Sequence, residues 1–596
     1  MNFSTSQQRR LEHPRRSTMG KGGAGSSRAL LRLTCWATLA ALAAGLRAAT
    51  ASKVVSFGAP AASEPLHTLL LRISSLGFGL ALVVQLILDW NNGIADPTQK
   101  PEAPEVPLPT PGADEALTLR EDEGVTKAVP LYPKAPRRLA DKPLPTFTMA
   151  EVAKHGTRDD CWVILDGRAY DVTRFIDAHP GGVGPVVNMA GKDATDVFDN
   201  YHAARVYKTM LTPYLVGEVT DVAVYPHVAD FRAARQELLR RGLFETDMRY
   251  YAKHGCWLAF LFTSALCLSL GKCGESGWLR MAGAAVMGVC WQQMAGLGHD
   301  LGHSGVTHNF HTDHLIGSIM SAFMGLSVGW WKSDHNTHHV VCNAVEHDPN
   351  IQHMPMLAIT DKIFDRGKFW DTYHKKWVGM DAVARLLVSY QHVFFYPLMA
   401  FGRINLYVQG FIYILTGADR HHYPKTELAG LGAFFVWIGA VAAAQPSAAL
   451  AAGWIFISHA VSGILHVQIV LSHWSMETYK GSPYTSLETE WYLMQMRTTM
   501  NVRTHPLLDW VHIGLQFQIE HHLFPRLPRH NLRKARVLVK AICEKHGIHY
   551  HEPGFFEGNL EMWRALKGAA LEARKTTRGD GGFYQSTLWA GLNLDG

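Results

Sequence analysis

Histidines crowd into three short stretches of this chain: His299-Asp-Leu-Gly-His303, His335-Asn-Thr-His338-His339 and Gln518-Ile-Glu-His521-His522. On a helix, residues three and four apart share a face, so each stretch would aim two or three imidazoles at one point. Seven such imidazoles exceed what one tetrahedral zinc needs, whereas two irons of higher coordination number would use nearly all of them. An isolated histidine is ordinarily a polar group with a satisfied hydrogen bond. Clustering of this density reverses that expectation, while His308, His311 and His314, just past the first stretch, keep it. Asp300, Asn336 and Glu520 lie inside the stretches and are expected to orient imidazoles, with Asp300 also a possible ligand. His473 ends the apolar run Gln468-Ile-Val-Leu-Ser-His473 and is a candidate added ligand. Gln518 would ligate, or hold a ligand or water through its amide.

A second signal lies between residues 147 and 219, where His179-Pro-Gly-Gly182 is followed by Phe198-Asp-Asn-Tyr-His202. Two histidines can grip the opposite faces of a flat macrocycle, and the glycines let the chain turn close against the ring. Trp162-Val-Ile164 and Tyr170-Asp-Val172 read as core strands. No Cys-x-x-Cys-His occurs, so such a heme would be non-covalent. The stretch resembles the cytochrome b5 family over its whole length, Gly191-Lys-Asp-Ala-Thr195 included. That resemblance implies a b-type heme with His179 and His202 as its ligands.

With both signals present, the chain resembles the front-end fatty-acyl desaturases from about residue 147 to about residue 560. These are membrane di-iron enzymes with cytochrome b5 fused at the N-terminus. The most specific residue is Gln518, where other membrane desaturases begin the third box with histidine. Sphingolipid delta-8 desaturases share the architecture and the glutamine, and remain an alternative. The resemblance implies two iron ions held by His299, His303, His335, His338, His339, His521 and His522, with Gln518 among the catalytic residues; His473 joins the metal ligands by its position at the end of the apolar run. It also implies O2 as co-substrate, a lipid-linked polyunsaturated acyl chain as substrate, and a cis double bond placed between the carboxyl end and an existing one. Electrons would come through the fused heme domain from a reductase, cytochrome b5 reductase or, in a plastid, ferredoxin. The segment from His347 to His353 matches the family as a supporting or loop contact, and Trp330, Trp331 and Trp474 would line an acyl channel or anchor at the interface. A non-catalytic heme carrier would be expected to have lost box histidines, and all seven are present. A hydroxylase shares the first hydrogen abstraction and is separated by its product.

The elements that must position these residues imply several domains: a small α+β cytochrome b5-like heme domain, then an all-α membrane domain with about four transmembrane helices in two hairpins. The 596 residues are 47% hydrophobic, and a net charge of +6 gives no case for nucleic-acid binding. Eight scattered cysteines read as reduced thiols, several of them packing in apolar runs. Residues 1–63 contain a single acidic residue, Glu12, among many Arg, Ser, Thr and Ala, the pattern of a targeting peptide. A chloroplast address is favoured, with an endoplasmic reticulum anchor as the rival. Residues 64–90 form an apolar segment and possible anchor, and 91–145 a proline-rich linker that should leave the heme domain mobile. The heme domain takes residues 146–221, the desaturase domain 228–560 and a C-terminal tail 561–596. Residues 256–270, 278–297, 428–444 and 448–471 are the expected spans, which return all three boxes to one face, and 315–331 and 386–415 read as interfacial or re-entrant. Lys375, Lys376, Arg526, Arg529, Arg533, Lys534 and Arg536 would mark that face as cytosolic, or stromal in a plastid.

Overall fold

The computed structural model describes residues 143–353, 356–365, 368–371, 376–416, 422–481, 483–486 and 489–575. The targeting peptide, the apolar segment 64–90 and nearly all of the linker lie outside those residues.

Short strands rich in buried apolar residues, Val163-Ile164-Leu165 foremost, build a small sheet at the start of the described chain. Its strands are β1 (Thr146–Phe147), β2 (Trp162–Leu165), β3 (Arg168–Asp171), β4 (Lys192–Asp193) and β5 (Leu215–Val219), in the order β1-β5-β3-β2-β4. β2 and β3 form an antiparallel hairpin whose turn, Asp166-Gly167, has positive φ at both residues, the geometry that suits such short connections. Helices α1 (Met149–Val152), α2 (Val183–Asn188), α3 (Thr195–Tyr201) and α4 (Ala204–Thr209) complete the heme-domain unit.

The rest is helical: α5 (Pro226–Arg240), α6 (Met248–Ser269), α7 (Gly277–Gly302), α8 (Phe310–Met324) and α9 (Val328–Val340) come first. After short strands between residues 352 and 379 follow α10 (Ala382–Met399), α11 (Gly402–Thr416), α12 (Pro424–Ala443), α13 (Ala448–Ser462) and α14 (Ile464–Trp474). α15 (Trp491–Thr498), α16 (Asp509–His512), α17 (Gln518–Leu523), α18 (Leu532–His546) and α19 (Phe555–Lys575) close the described chain.

Two helices among the described residues are long and apolar enough to cross a membrane, Pro424–Ala443 and Ala448–Trp474. Ala382–Met399 and Gly402–Leu415 pass that test only as a pair, and they bend by 86° at their break, a broken span or a re-entrant loop. The helices of the second expected hairpin therefore have the length and composition of spans, whereas those of the first fall short on composition. α6 and α7 are long enough at 22 and 26 residues, but Arg249 and Lys253 dilute one, and Arg280, Gln292 and Gln293 the other. α12 leaves Val436 74% exposed and α10 leaves Val393 67% exposed, which an aqueous surface would not favour and lipid would.

Two further expectations change. The heme domain is not a loose appendage: buried Val172, Ile176 and Val197 belong to the same apolar cluster as Val340, Tyr492 and Phe524 of the helical domain. Arg232 of α5 ties the two by a bidentate pair with Asp196, at 2.7 and 2.9 Å. The chain also stays ordered beyond residue 560. α19 runs to Lys575 with Met562 and Leu566 buried, and Gln391 of α10 donates to the Leu566 carbonyl at 2.8 Å.

Candidate active site

Box one sits at the C-terminal end of α7, where His299 and His303 are one turn apart. Box two rides on α9, whose N-cap Ser327 accepts from Trp330 N. The same hydroxyl donates at 2.5 Å to Glu427 of α12, and Glu427 also accepts from Gly329 N at 3.1 Å. A buried carboxylate at a helix N-terminus suits the positive end of its dipole and fixes the box-two helix to α12. Box three lies on α17, which Asn501 secures by accepting from Ile519 N at 2.9 Å and donating to Glu520 Oε2 at 2.8 Å.

These elements converge into two groups of ligating atoms, each within 4.8 Å of one another. The first is His299, His303, His335 and His521; the second is His338, Cys342, His473 and His522. His339 lies between them: its Nε2 is 2.9 Å from His335 Nε2 and 3.1 Å from His521 Nε2, and its ring stacks on His522 at 4.0 Å. Gln518 is buried at the edge of the second group, where its side chain reaches His473. Trp331 packs on His335 at 4.3 Å and on His299 and His303, so it walls the first group. Trp474 is buried against His353 and Phe395.

Burial pushes the imidazoles of His335, His339, His521 and His522 down, and their mutual proximity adds to it, so each keeps a lone pair for a cation. His299 Nε2, both nitrogens of His303, His339 Nδ1 and His522 Nε2 are buried without a hydrogen-bond partner. Orphaned buried nitrogens at this density cost several kcal/mol unless something else takes their lone pairs. Iron fits that demand, since imidazole is a common ligand for it.

Two ligands are held by groups that sequence reasoning placed differently or missed. His338 Nδ1 lies 2.9 Å from Asp348 Oδ2, and Asp348 is itself fixed by Asn343 N at 2.6 Å and Asn350 N at 2.8 Å. His522 Nδ1 donates to Gln495 Oε1 at 2.9 Å. In each case the second ring nitrogen is left toward the group of ligating atoms, the usual device for orienting a metal-binding imidazole. By contrast Glu520 accepts from Asn501 and from Tyr550 OH, not from an imidazole. Asn336 turns outward to the heme domain, donating to the Gly181 carbonyl at 3.1 Å. Asp300 lies 3.8 Å from His299 Nδ1 and is paired at 2.9 Å with Arg529, which is buried. That last pair, with Arg533 on Asp509 and Arg536 on Glu552, means that much of the basic run read as a positive face is engaged in ion pairs. His308 bonds Thr246 at 3.0 Å, and His314 lies 3.9 Å from Glu427, both away from the two groups.

In the heme domain, His179 and His202 face each other with ring centroids 5.9 Å apart. Metal–nitrogen bonds near 2.0 Å on both sides of one iron would put coaxial centroids roughly 6 Å apart. Each Nδ1 is tied to a backbone carbonyl, of Gly182 at 2.8 Å and of Phe198 at 3.0 Å, which directs Nε2 to the space between. Burial pushes both imidazoles down, His202 to about 3 with His179 adding to the effect. The residues present fit a bis-histidine heme.

The fatty acid desaturase family matches residues 276–554, and the cytochrome b5-like heme/steroid binding domain matches residues 148–220. The chain is 34% identical to Delta(8)-fatty-acid desaturase 2 of Arabidopsis thaliana over 75% of this chain and 98% of that one. It is 33% identical to Acyl-lipid (9-3)-desaturase of Borago officinalis over 76% of this chain and 98% of that one. Delta 8-(E)-sphingolipid desaturase of Komagataella phaffii is 38% identical over 57% of this chain and 62% of its own length. Identity maintained across nearly the full length of the plant proteins joins both modules in one lineage: this chain belongs to the fatty acid desaturases that carry their own cytochrome b5-like domain.

Proposed function

We propose that this protein is a front-end acyl-lipid desaturase that uses O2 and electrons delivered through its own heme domain. The observation that carries the reading is the direct packing of the HPGG segment on the box-two helix, beside two groups of ligating side chains. The reaction removes two hydrogens from adjacent methylenes, and O2 takes these with two electrons and two protons to leave two waters. Iron in the two groups supplies the oxidising power that no side chain has. The first site would use His299, His303, His335 and His521, the second His338, His473 and His522, with His339 between them. Asp348 and Gln495 hold two of those imidazoles in place, Trp331 closes one side, and His179 and His202 hold the heme.

Four membrane crossings remain the proposal, with α6 and α7 as the first hairpin lying against α13. A polyunsaturated glycerolipid acyl chain is the proposed substrate, in a plastid membrane with a ferredoxin-type or b5-reductase-type donor, and the endoplasmic reticulum is the alternative. The first 63 residues, rich in basic and hydroxyl side chains, support the plastid address. A second reading, desaturation of a sphingolipid long-chain base, is favoured by the 38% identity to the Komagataella phaffii protein of that name.

Expression in a host supplied with polyunsaturated acyl chains, followed by double-bond location in separated lipid classes, tests both. A new bond between the carboxyl end and an existing one in glycerolipids is the expected result. A bond confined to ceramide bases would move the enzyme to sphingolipids, and a hydroxylated product would overturn desaturation.

A further inference from the structure

Cys342 stands one helical turn beyond His338, just after α9 ends, and it is buried. Its Sγ lies 3.4 Å from His473 Nδ1 and 4.0 Å from His338 Nε2. Its other polar neighbours are the Thr498 carbonyl at 3.7 Å and Thr499 Oγ1 at 3.9 Å. The opposite wall is His522, fully buried, with Nε2 unpartnered. For a divalent first-row ion with bonds of about 2.3 Å to sulfur and 2.0–2.1 Å to nitrogen, a tetrahedral S···N edge is roughly 3.6 Å. The two observed separations bracket that edge. His473 Nδ1 also lies 3.3 Å from the Thr498 carbonyl, whereas His522 Nε2 is buried with no hydrogen-bond partner, and a bound ion would take its lone pair.

We propose that Cys342 is a thiolate ligand of the second metal position, which is therefore three imidazoles and one sulfur, while the first is imidazole alone. The inference deepens the dinuclear reading above and rests on it. Binding expels the thiol proton to solvent and leaves the bound ion with one compensating negative charge that the other position lacks. The two irons would then be chemically distinct, the thiolate-bound one receiving more electron density from its ligands. Asn343, the next residue, has positive φ and anchors the turn by donating to the carbonyls of His473 at 2.9 Å and Glu477 at 3.0 Å. That anchoring keeps the Cys342 backbone from drifting away from the imidazoles.

The test uses the full-length protein in detergent with its heme retained and its non-heme metal replaced by cobalt(II). Cobalt-edge X-ray absorption sees only the substituted sites, so heme iron does not interfere. The expected result is two cobalts per chain, with a sulfur scatterer near 2.3 Å at about one sulfur per two metals. Cys342→Ser and Cys342→Ala should each lose that scatterer while the heme spectrum is unchanged. Two bound cobalts with nitrogen and oxygen scatterers alone in the unsubstituted protein would overturn the thiolate and leave the dinuclear site standing. No cobalt bound would overturn both. Sulfur scattering that persists in Cys342→Ser would assign it to another residue and overturn the proposal.

Discussion

Asn336, between two box-two histidines, donates its side-chain N–H to the carbonyl of Gly181, the third residue of the HPGG segment, at 3.1 Å. Histidines that would grip a heme and histidines that would hold iron are thus joined by one hydrogen bond. A few residues on, the helices approach closely: a methyl group on Gly184 of α2 would overlap Thr337 Oγ1 of α9. The heme face is therefore held at a fixed position on the box-two helix, where Tyr201, beside His202, comes within 6.1 Å of the His339 ring.

Gly184→Ala should slow oxygen- and substrate-dependent reoxidation of the heme by about tenfold, within the range of couplings between contacting residues. Thr337→Ala removes the overlapping oxygen and should restore the rate in the double variant, while alone it costs little. Stopped-flow absorbance of the heme measures all three. An unchanged rate in Gly184→Ala with the heme spectrum intact would mean that electrons do not enter across this contact.

His179→Ala and His202→Ala should each abolish the b-type absorption and most product formation while leaving the non-heme metal in place. The readout is the reduced-minus-oxidised spectrum together with metal analysis of the purified protein. Undiminished turnover without added cytochrome b5 would remove the fused domain from the electron route.

Much of this arrangement is legible before any coordinates, because the boxes encode it locally. His299 and His303, or His335 and His339, need only a helix to share a face, and an apolar run ending in His473 announces where that side chain emerges. What is hidden depends on chain reversals: Gln495 meets His522 across 27 residues, and Arg529 meets Asp300 from the far end of the domain. Arg529 reads as a surface charge in sequence because nothing nearby neutralises it. Cys342 was recoverable in principle from its i+4 relation to His338, but a cysteine in an apolar context reads first as packing. The first hairpin shows a different limit. Gln292, a polar residue inside the expected span 278–297, is satisfied by Gln468 Oε1 at 2.9 Å and the Val511 carbonyl at 2.8 Å.

Asp348→Asn keeps the shape of the His338 support but removes its charge and reverses half of its hydrogen-bonding capacity. Loss of a carboxylate behind a ligating imidazole typically weakens metal affinity by about 10–100-fold. Metal titration of the depleted protein should show that loss at one of two positions, with the heme spectrum unaltered. Equal weakening of both positions would argue that His338 serves the two ions together.

Arg529 and Asp300 are a buried ion pair at 2.9 Å, with Tyr251 OH donating to the same Asp300 carboxylate at 2.7 Å. Removing one partner leaves the other charge uncompensated, and such single losses cost about 3–5 kcal/mol, whereas replacing both charges together is often near neutral. Arg529→Met should therefore lower the unfolding temperature of the detergent-solubilised protein sharply. Adding Asp300→Asn should recover much of the loss, because the neutral amide no longer needs the guanidinium. Asp300 also follows His299 directly, so the single variant is expected to loosen box one and lower the metal content in parallel with stability. If the double variant melts as low as Arg529→Met alone, the guanidinium acts through packing against Tyr250 and not through its charge.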